Sequence, residues 1–500
     1  MKSKHILILF ISLCITSLSA DLFANSFADT FGFSAEGIAR GNAMAAVVDD
    51  WSSLWYNVAG LGKTQGITKK EEGDDKTRKE VYANQLAIGY LLTVPKLSLK
   101  IPQRFYGKYP DYYPVSTKKV ADKKPYGYIT FGGALDLLNL FPLPDFISSA
   151  RLGFSMSVNQ NFSMANISNL SPFDHNFIRY GKCIQNALIM SGLGFGFLDD
   201  AFGGGVGINM NFHGKIRSFL DTSLSPGLSP AQFPVASNSF DLNIVPGAIA
   251  GVYLSPGKFT KALEGLEFGA SYREETKLRI FPFSTHVLII GFISYSLPLI
   301  MDIQDYYSPH TVNGSIAYTR WGVTLSAEVG WEMWSMAYPT KNVRASYLCV
   351  PRYHDIIVYK AGIKYDTPLN WLTVMFGYSF VPSILPKNVN NKVGVQIQGL
   401  LSNWNADPYV IGGMFNYLDN DKHLASLGLK FTIPKPGKLP GQIYLTLAYQ
   451  FQYLVPRSAT KLGDLQTIGT NAWFDSYLYN PSYRYGGMNH SIGVEVGVKI

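Results

Sequence analysis

The last ten residues, Ser491-Ile492-Gly493-Val494-Glu495-Val496-Gly497-Val498-Lys499-Ile500, alternate strictly between apolar residues and small or polar ones. Successive side chains of an extended strand point to opposite faces, so one face here is entirely aliphatic. Ile492, Val494, Val496, Val498 and Ile500 would meet lipid, and Ser491, Gly493, Glu495, Gly497 and Lys499 a polar interior. The same period recurs in Val206-Ile208-Met210-Phe212, in Ile443-Leu445-Leu447-Tyr449-Phe451 and in Val323-Leu325-Ala327-Val329-Trp331. A helix cannot produce it. Strand-sized segments start near Asn84, Tyr126, Arg151, Lys182, Gly203, Phe240, Glu264, His310, Trp321, His354, Trp371, Lys422, Gly441 and Asn489. The even total predicts an all-β fold, a closed transmembrane antiparallel β-barrel of about 14 strands.

The connections alternate in length. Short ones fall at 199–202, 255–263, 319–321, 366–370 and 434–440, and long ones at 96–125, 221–239, 282–309, 338–353, 382–421 and 455–488. Short turns belong to the periplasm and long loops to the outside, which predicts two periplasmic chain ends in a bacterial outer membrane.

Ahead of the barrel, residues 31–62 read FGFSAEGIARGNAMAAVVDDWSSLWYNVAGLG, rich in small residues and lacking strand alternation. Too small for a domain, this stretch suits a plug (hatch) inside the lumen. Lys2 and Lys4, the apolar run 6–15 and the small residues Ser17, Ser19 and Ala20 have the order of a secretory signal, with cleavage between 19 and 28. The expected division is residues 1–24 as signal peptide, 25–80 as N-terminal plug with a polar, charged connector, and 81–500 as barrel.

Composition agrees. The chain is 47% hydrophobic and 14% aromatic, has 47 glycines, and is only 16% charged, against about 25% charged in an ordinary globular chain. No segment offers the ~18 uninterrupted apolar residues of a membrane helix. Of the three cysteines, Cys14 lies in the signal, which leaves one bridge, Cys183–Cys349, open as a possibility. The net charge of +8 has lysines clustered in loops, Lys118, Lys119, Lys123 and Lys124 among them. These face either water or the phosphates of outer-membrane lipid and lipopolysaccharide, and no nucleic acid is implied. The eight histidines are scattered. No His-x-x-x-His, Cys-x-x-Cys or Gly-x-Ser-x-Gly occurs, so neither an enzyme nor a metal or cofactor is expected.

Four stretches carry a family resemblance. Asn57-Val58-Ala59-Gly60 follows the acidic, aromatic approach Asp49-Asp50-Trp51. Gly269-Ala270-Ser271-Tyr272-Arg273 opens a charged strand. Leu325-Ser326-Ala327-Glu328-Val329-Gly330-Trp331-Glu332-Met333-Trp334-Ser335 pairs two tryptophans with an acidic residue, and Gly377-Tyr378-Ser379-Phe380 precedes Pro382 and Pro386, with the strand start Asn420–Leu429 after it. In this order they resemble the FadL/TodX family of outer-membrane transporters of long-chain fatty acids and other hydrophobic compounds. Two departures are Val58, where the family has proline, and the C-terminal Ile500, where barrels usually end in an aromatic residue. The resemblance implies a monomeric, plugged fourteen-strand barrel that captures a long-chain fatty acid or hydrocarbon in a loop groove. Such a barrel passes its ligand through a pocket in the lumen and releases it sideways into the membrane. A general porin, and a non-transporting scaffold or secretion partner, remain the alternatives.

The apolar loop residues Val287, Leu288, Ile289, Ile290, Phe292 and Ile293 form either the capture groove or more lipid-facing wall. Phe27, Phe31 and Phe33 either gate the lumen or simply pack the plug. By strand parity Arg273, Glu275, Lys277, Glu328 and Glu332 point inward. Arg273 and Glu328 are the expected lumen charges that seat the plug, unless they only pair across the wall. Asn159, Gln160 and Asn161 on the third strand mark either a distortion or a polar strand end.

Overall fold

The computed structural model describes residues 23–24, 27–64, 66–70, 77–81, 84–100, 124–138, 144, 146–160, 176–180, 187–221, 235–289, 295–337, 353–385, 394–395, 409–410, 417–434, 441–460 and 482–500. Fourteen antiparallel strands close into one barrel. They are β1 (Gln85–Lys100), β2 (Tyr126–Asp136), β3 (Ile147–Asn159), β4 (Leu188–Phe197), β5 (Phe202–Asp221), β6 (Val235–Leu254) and β7 (Leu266–Arg273). β8 (Thr311–Arg320), β9 (Val323–Glu332), β10 (Ile356–Asp366), β11 (Leu372–Val381), β12 (Lys422–Pro434), β13 (Gln442–Thr460) and β14 (Ser482–Lys499) complete the ring. Each strand pairs with its sequence neighbours, and β14 returns to β1 from Lys499↔Gln85 to Arg484↔Lys100. Every expected strand start finds a wall strand. The largest displacement is at β14, which begins at Ser482. Gly486 and Gly487, the latter at φ 140°, interrupt the alternation there, opposite a bulge between Leu454 and Arg457 on β13.

The pleat sorts the side chains. Val206 (62% exposed), Ile208, Leu325, Val329, Trp331, Ile492 and Val496 face outward, while Asn209, Ser326, Glu328, Ser491 and Glu495 are buried inside. An apolar band around a polar interior is the surface of a membrane barrel. Among the described residues no helix is long and apolar enough to cross a membrane. The β8–β9 hairpin closes on Trp321 (φ 52°) and Gly322 (φ 76°). Two left-handed residues in a two-residue loop match the twist of the flanking strands.

The N-terminal segment folds inside the ring as α1 (Phe27–Phe31), α2 (Ala35–Ala39), α3 (Ser53–Tyr56) and a 3₁₀ turn (Val58–Gly62). Helices this short have no stability of their own, and burial holds them. A polar pair of short strands, Gly66–Lys70 and Thr77–Val81, then leads to β1. The sequence, read as a charged connector there, did not suggest this pair; Ile67, Thr68, Thr77 and Val81 supply its β-branched residues. The long connection after β7 also differs from an irregular loop. Its residues Thr276–Ile289 and Tyr295–Ser308 form a hairpin off the barrel wall, and Phe23–Ala24 adds to it as a parallel third strand.

Ile500 lies at the short-turn end, where its backbone exchanges hydrogen bonds with Asn84. Phe23 instead lies opposite Tyr306, at the long-connection end. The described N-terminal segment therefore enters the lumen from the long-loop side and leaves at the other end. The plug runs the length of the barrel, which places its entry and exit apart.

Candidate functional site

The lumen site is built from plug backbone and inward wall side chains. Short helices leave backbone groups unpaired at their ends, and these helices are buried. The wall supplies the missing partners. Glu495 on β14 accepts the N–H of Ala35 at 2.9 Å, at the start of α2. Glu328 on β9 accepts the N–H groups of Met44 (3.0 Å) and Ala45 (2.9 Å) and pairs with Lys360 at 2.7 Å. Gln450 and Gln452 on β13 donate to the carbonyls of Phe31 and Thr30. Arg151 on β3 donates to the carbonyls of Leu61 (2.6 Å), Asp49 and Lys63. Lys430 on β12 pairs with Glu36 at 2.6 Å, and Glu36 also faces Arg40.

Arg273, at the end of β7, binds Asp29 of α1 at 2.5 Å and lies over the Trp55 ring at 3.7 Å. Of the other inward charges, Glu275 lies beside His310, and Glu332 accepts from the Trp334 indole at 2.8 Å. Of the inward charges, strand parity singled out Arg273 and Glu328 for the plug. It passed over Arg151, although Arg151 alternates with Gly153, Ser155 and Ser157, a polar inward row that the same reasoning could have found.

The Asn57–Gly60 segment closes the plug against β4, β5 and β6. Asn57 caps the 3₁₀ turn by accepting the N–H of Ala59, and its Nδ2 donates to the carbonyls of Ala45 (2.7 Å) and Val252 (3.0 Å). Val58 buries its side chain in a cluster with Leu54, Leu61, Leu188 and Met190. Ala59 and Gly60 are buried with it. The turn touches the wall at glycines. A Cβ at Gly194 would come within 2.6 Å of Leu61 Cβ, and one at Gly205 within 2.7 Å of the Val58 carbonyl carbon.

The three phenylalanines divide. Phe33 joins the plug's own core, against Trp51 and Trp55. Phe27 and Phe31 face the wall. Phe27 stacks on Tyr128 at 3.6 Å, and Phe31 meets Tyr126 and Tyr180 edge-on. With Leu91, Leu97, Leu99, Leu418, Leu454 and Tyr485 they form one buried apolar cluster toward the long-loop end.

Beside that cluster lies a charged group whose arginine nothing in the sequence announces, because Arg179 sits in a loop with no periodic pattern. Arg179 is 2% exposed. Its guanidinium lies over Trp334 and is 3.7 Å from Glu332 and 4.0 Å from Asp419. Neither contact is a hydrogen bond, and Nε and Nη2 are buried without an acceptor among the described residues. Lys422 is 3.3 Å from Asp419 and lies over the Tyr180 ring. Burial pushes the Asp419 carboxyl up, but Lys422, Arg179 and the Ile384 N–H outweigh it and hold Asp419 below the usual carboxylate range.

Of the expected groove residues, Val287, Leu288 and Ile289 belong to the hairpin arm Thr276–Ile289, opposite Leu297, Ser296 and Tyr295. Ile290, Phe292 and Ile293 lie outside the described residues, as do Cys14, Cys183, Cys349, Lys118, Lys119, Lys123 and Asn161. Asn159 and Gln160 end β3 in regular fashion, Asn159 opposite Tyr128 and the Gln160 N–H on the Gly127 carbonyl. The irregularity of β3 is at its other end, between Ile147 and Ser149.

No family model and no curated protein matches the chain by sequence. By structure it is similar to a FadL homologue of Pseudomonas aeruginosa, with a TM-score of 0.50 and 13% identity over 93% of this chain and 98% of that one. It is also similar to the toluene transporter TodX of Pseudomonas putida, with a TM-score of 0.45 and 14% identity over 94% and 98% of the two chains. At such identities the likeness is one of fold, and the fold is a plugged fourteen-strand barrel.

Proposed function

We propose that this chain, which has the FadL-type fold, is a passive outer-membrane transporter whose ligand is a long-chain fatty acid. The observation that carries the reading is the junction between the aromatic cluster of Phe27, Phe31, Tyr126, Tyr128 and Tyr180 and the buried guanidinium of Arg179. Buried donors without acceptors are costly, and a carboxylate is the acceptor that a guanidinium fork matches best. An apolar tail against the aromatics with its acid group at Arg179 and Lys422 uses both halves of the site. A hydrocarbon without a head group would leave the guanidinium as it is.

The long connections face outward in this reading and the short turns the periplasm. Ligand is captured at the hairpin of the β7–β8 connection and reaches Tyr126, Tyr128 and Tyr180 only when Phe27 and Phe31 give way. Release is lateral, because leaving lipid for water costs about 0.8 kcal/mol for each CH₂.

Binding of oleate and of hexadecane to the purified, detergent-solubilised protein tests this. Oleate should bind, and Arg179→Met should weaken it at least tenfold while leaving hexadecane unchanged. Failure of the unaltered protein to bind oleate would overturn the fatty-acid reading. Hexadecane binding with no oleate binding would make it a hydrocarbon transporter instead.

A further inference from the structure

The plug's first helix is fastened to both feet of the β7–β8 hairpin through one side chain. Asp29 Oδ1 accepts from Arg273 Nη2 at 2.5 Å, and Arg273 is the last residue of β7, just before the hairpin. Asp29 Oδ2 accepts from Ser308 Oγ at 3.3 Å, and Ser308 is the hairpin's last residue. The site is closed: the Asp29 and Arg273 side chains are 5% and 10% exposed. Arg273 is fixed in turn by Trp55 and by Thr311, the first residue of β8. The opposite side of α1 is fastened differently, with the Thr30 and Phe31 carbonyls held by Gln452 and Gln450 of β13. α1 is thus held between a wall strand and a loop hairpin, and it carries Phe27 and Phe31. In a chain that retains Phe23, the parallel pairs Phe23↔Tyr306 and Ala24↔Tyr307 add a second tie to the same hairpin arm.

We propose that Asp29 is a positioning residue that couples the hairpin to the plug. Movement of the hairpin feet is transmitted through Asp29 to α1 and so to the two phenylalanines packed in the aromatic cluster. The two contacts share one buried carboxylate, one oxygen for each foot of the hairpin, so a shift of either foot pulls on α1. Ligand capture at the hairpin would then unfasten α1 before the ligand reaches the lumen. This role in transport rests on the function proposed above; the mechanical coupling does not.

Hydrogen exchange on the full, detergent-solubilised protein separates the two. Without ligand, Asp29→Asn should raise exchange at least tenfold in residues 27–31 and at the hairpin feet 274–276 and 307–310 together, with the β13 and β14 amides unchanged. Faster exchange in the plug alone would overturn the coupling. The charge-reversed double variant Asp29→Arg with Arg273→Asp should restore protection at both places, and failure to do so in a folded barrel counts against the pair. If Asp29→Asn does not assemble, Ser308→Ala removes one arm only and should still loosen α1. Oleate added to the unaltered protein should speed exchange in 27–31. Binding without that change overturns the role of the coupling in transport but not the function, whereas absence of binding overturns the function and leaves the ligand-free result standing.

Discussion

Arg151 of the wall donates its Nε–H to the carbonyl oxygen of Leu61, at 2.6 Å, where the plug's 3₁₀ turn ends. The guanidinium does for this turn what water does for a helix end on a protein surface. The barrel repeats the device at Glu495 and Ala35, and at Glu328 with Met44 and Ala45. The inward charges are therefore matched to particular backbone groups of the plug, which makes their removal measurable.

Glu328→Ala should destabilise the protein by about 1–3 kcal/mol, because the partly buried Lys360 loses its partner. Two plug N–H groups lose their acceptor at the same time. Chemical unfolding in lipid vesicles reads the stability, and planar-bilayer recording should show leak current absent from the unaltered barrel. Unchanged stability and no leak would show that Glu328 does not seat the plug.

Deleting residues 27–62 should leave an assembled barrel that conducts ions steadily. A non-conducting deletion variant with full strand content would mean that something other than the plug closes the lumen.

Gly205→Leu should expel the 3₁₀ turn, since a side chain there meets the Val58 carbonyl. The β4–β5 pairing should survive, because the clash lies on the plug side. Limited proteolysis should cut near residues 58–64 in the variant and spare them in the unaltered protein.

Asn57→Ala removes the donor to the carbonyls of Ala45 and Val252 together with the cap of Ala59. A cost of about 1–3 kcal/mol is expected from the unmet carbonyls. Asn57→Asp, which keeps the cap but not the donor, should recover only part of it.

Phe31→Ala should open space between Tyr126 and Tyr180 and cost about 3–5 kcal/mol as a large-to-small change in a closed cluster. Uptake of labelled fatty acid by cells should rise if Phe31 blocks the path, and fall or stay level if it only supports the plug.

The wall was legible because lipid on one side and a polar lumen on the other impose a two-residue period on every strand, however the strands are ordered. That period marked the β9 and β14 faces and the inward positions of Arg273 and Glu328. It weakened where glycine or proline interrupted it, as at Gly486–Gly487 and at Pro456 on the bulged β13. The plug was recognisable only by its lack of any period and by Asn57–Gly60. Small residues suit close backbone approach, but they do not say which strands are approached.

By itself, then, the sequence determined a fourteen-strand barrel, its inside and outside, and a short non-periodic segment ahead of it whose simplest place is the lumen, since these follow from local alternation and composition. Only the tertiary structure decided that Asp29 meets Arg273 and Ser308, that Phe27 stacks on Tyr128, and that Arg179 is buried beside Asp419 and Lys422. These partners are far apart in the chain. Their meeting depends on closure of the ring and on the direction in which the plug is threaded through it, neither of which leaves a periodic trace.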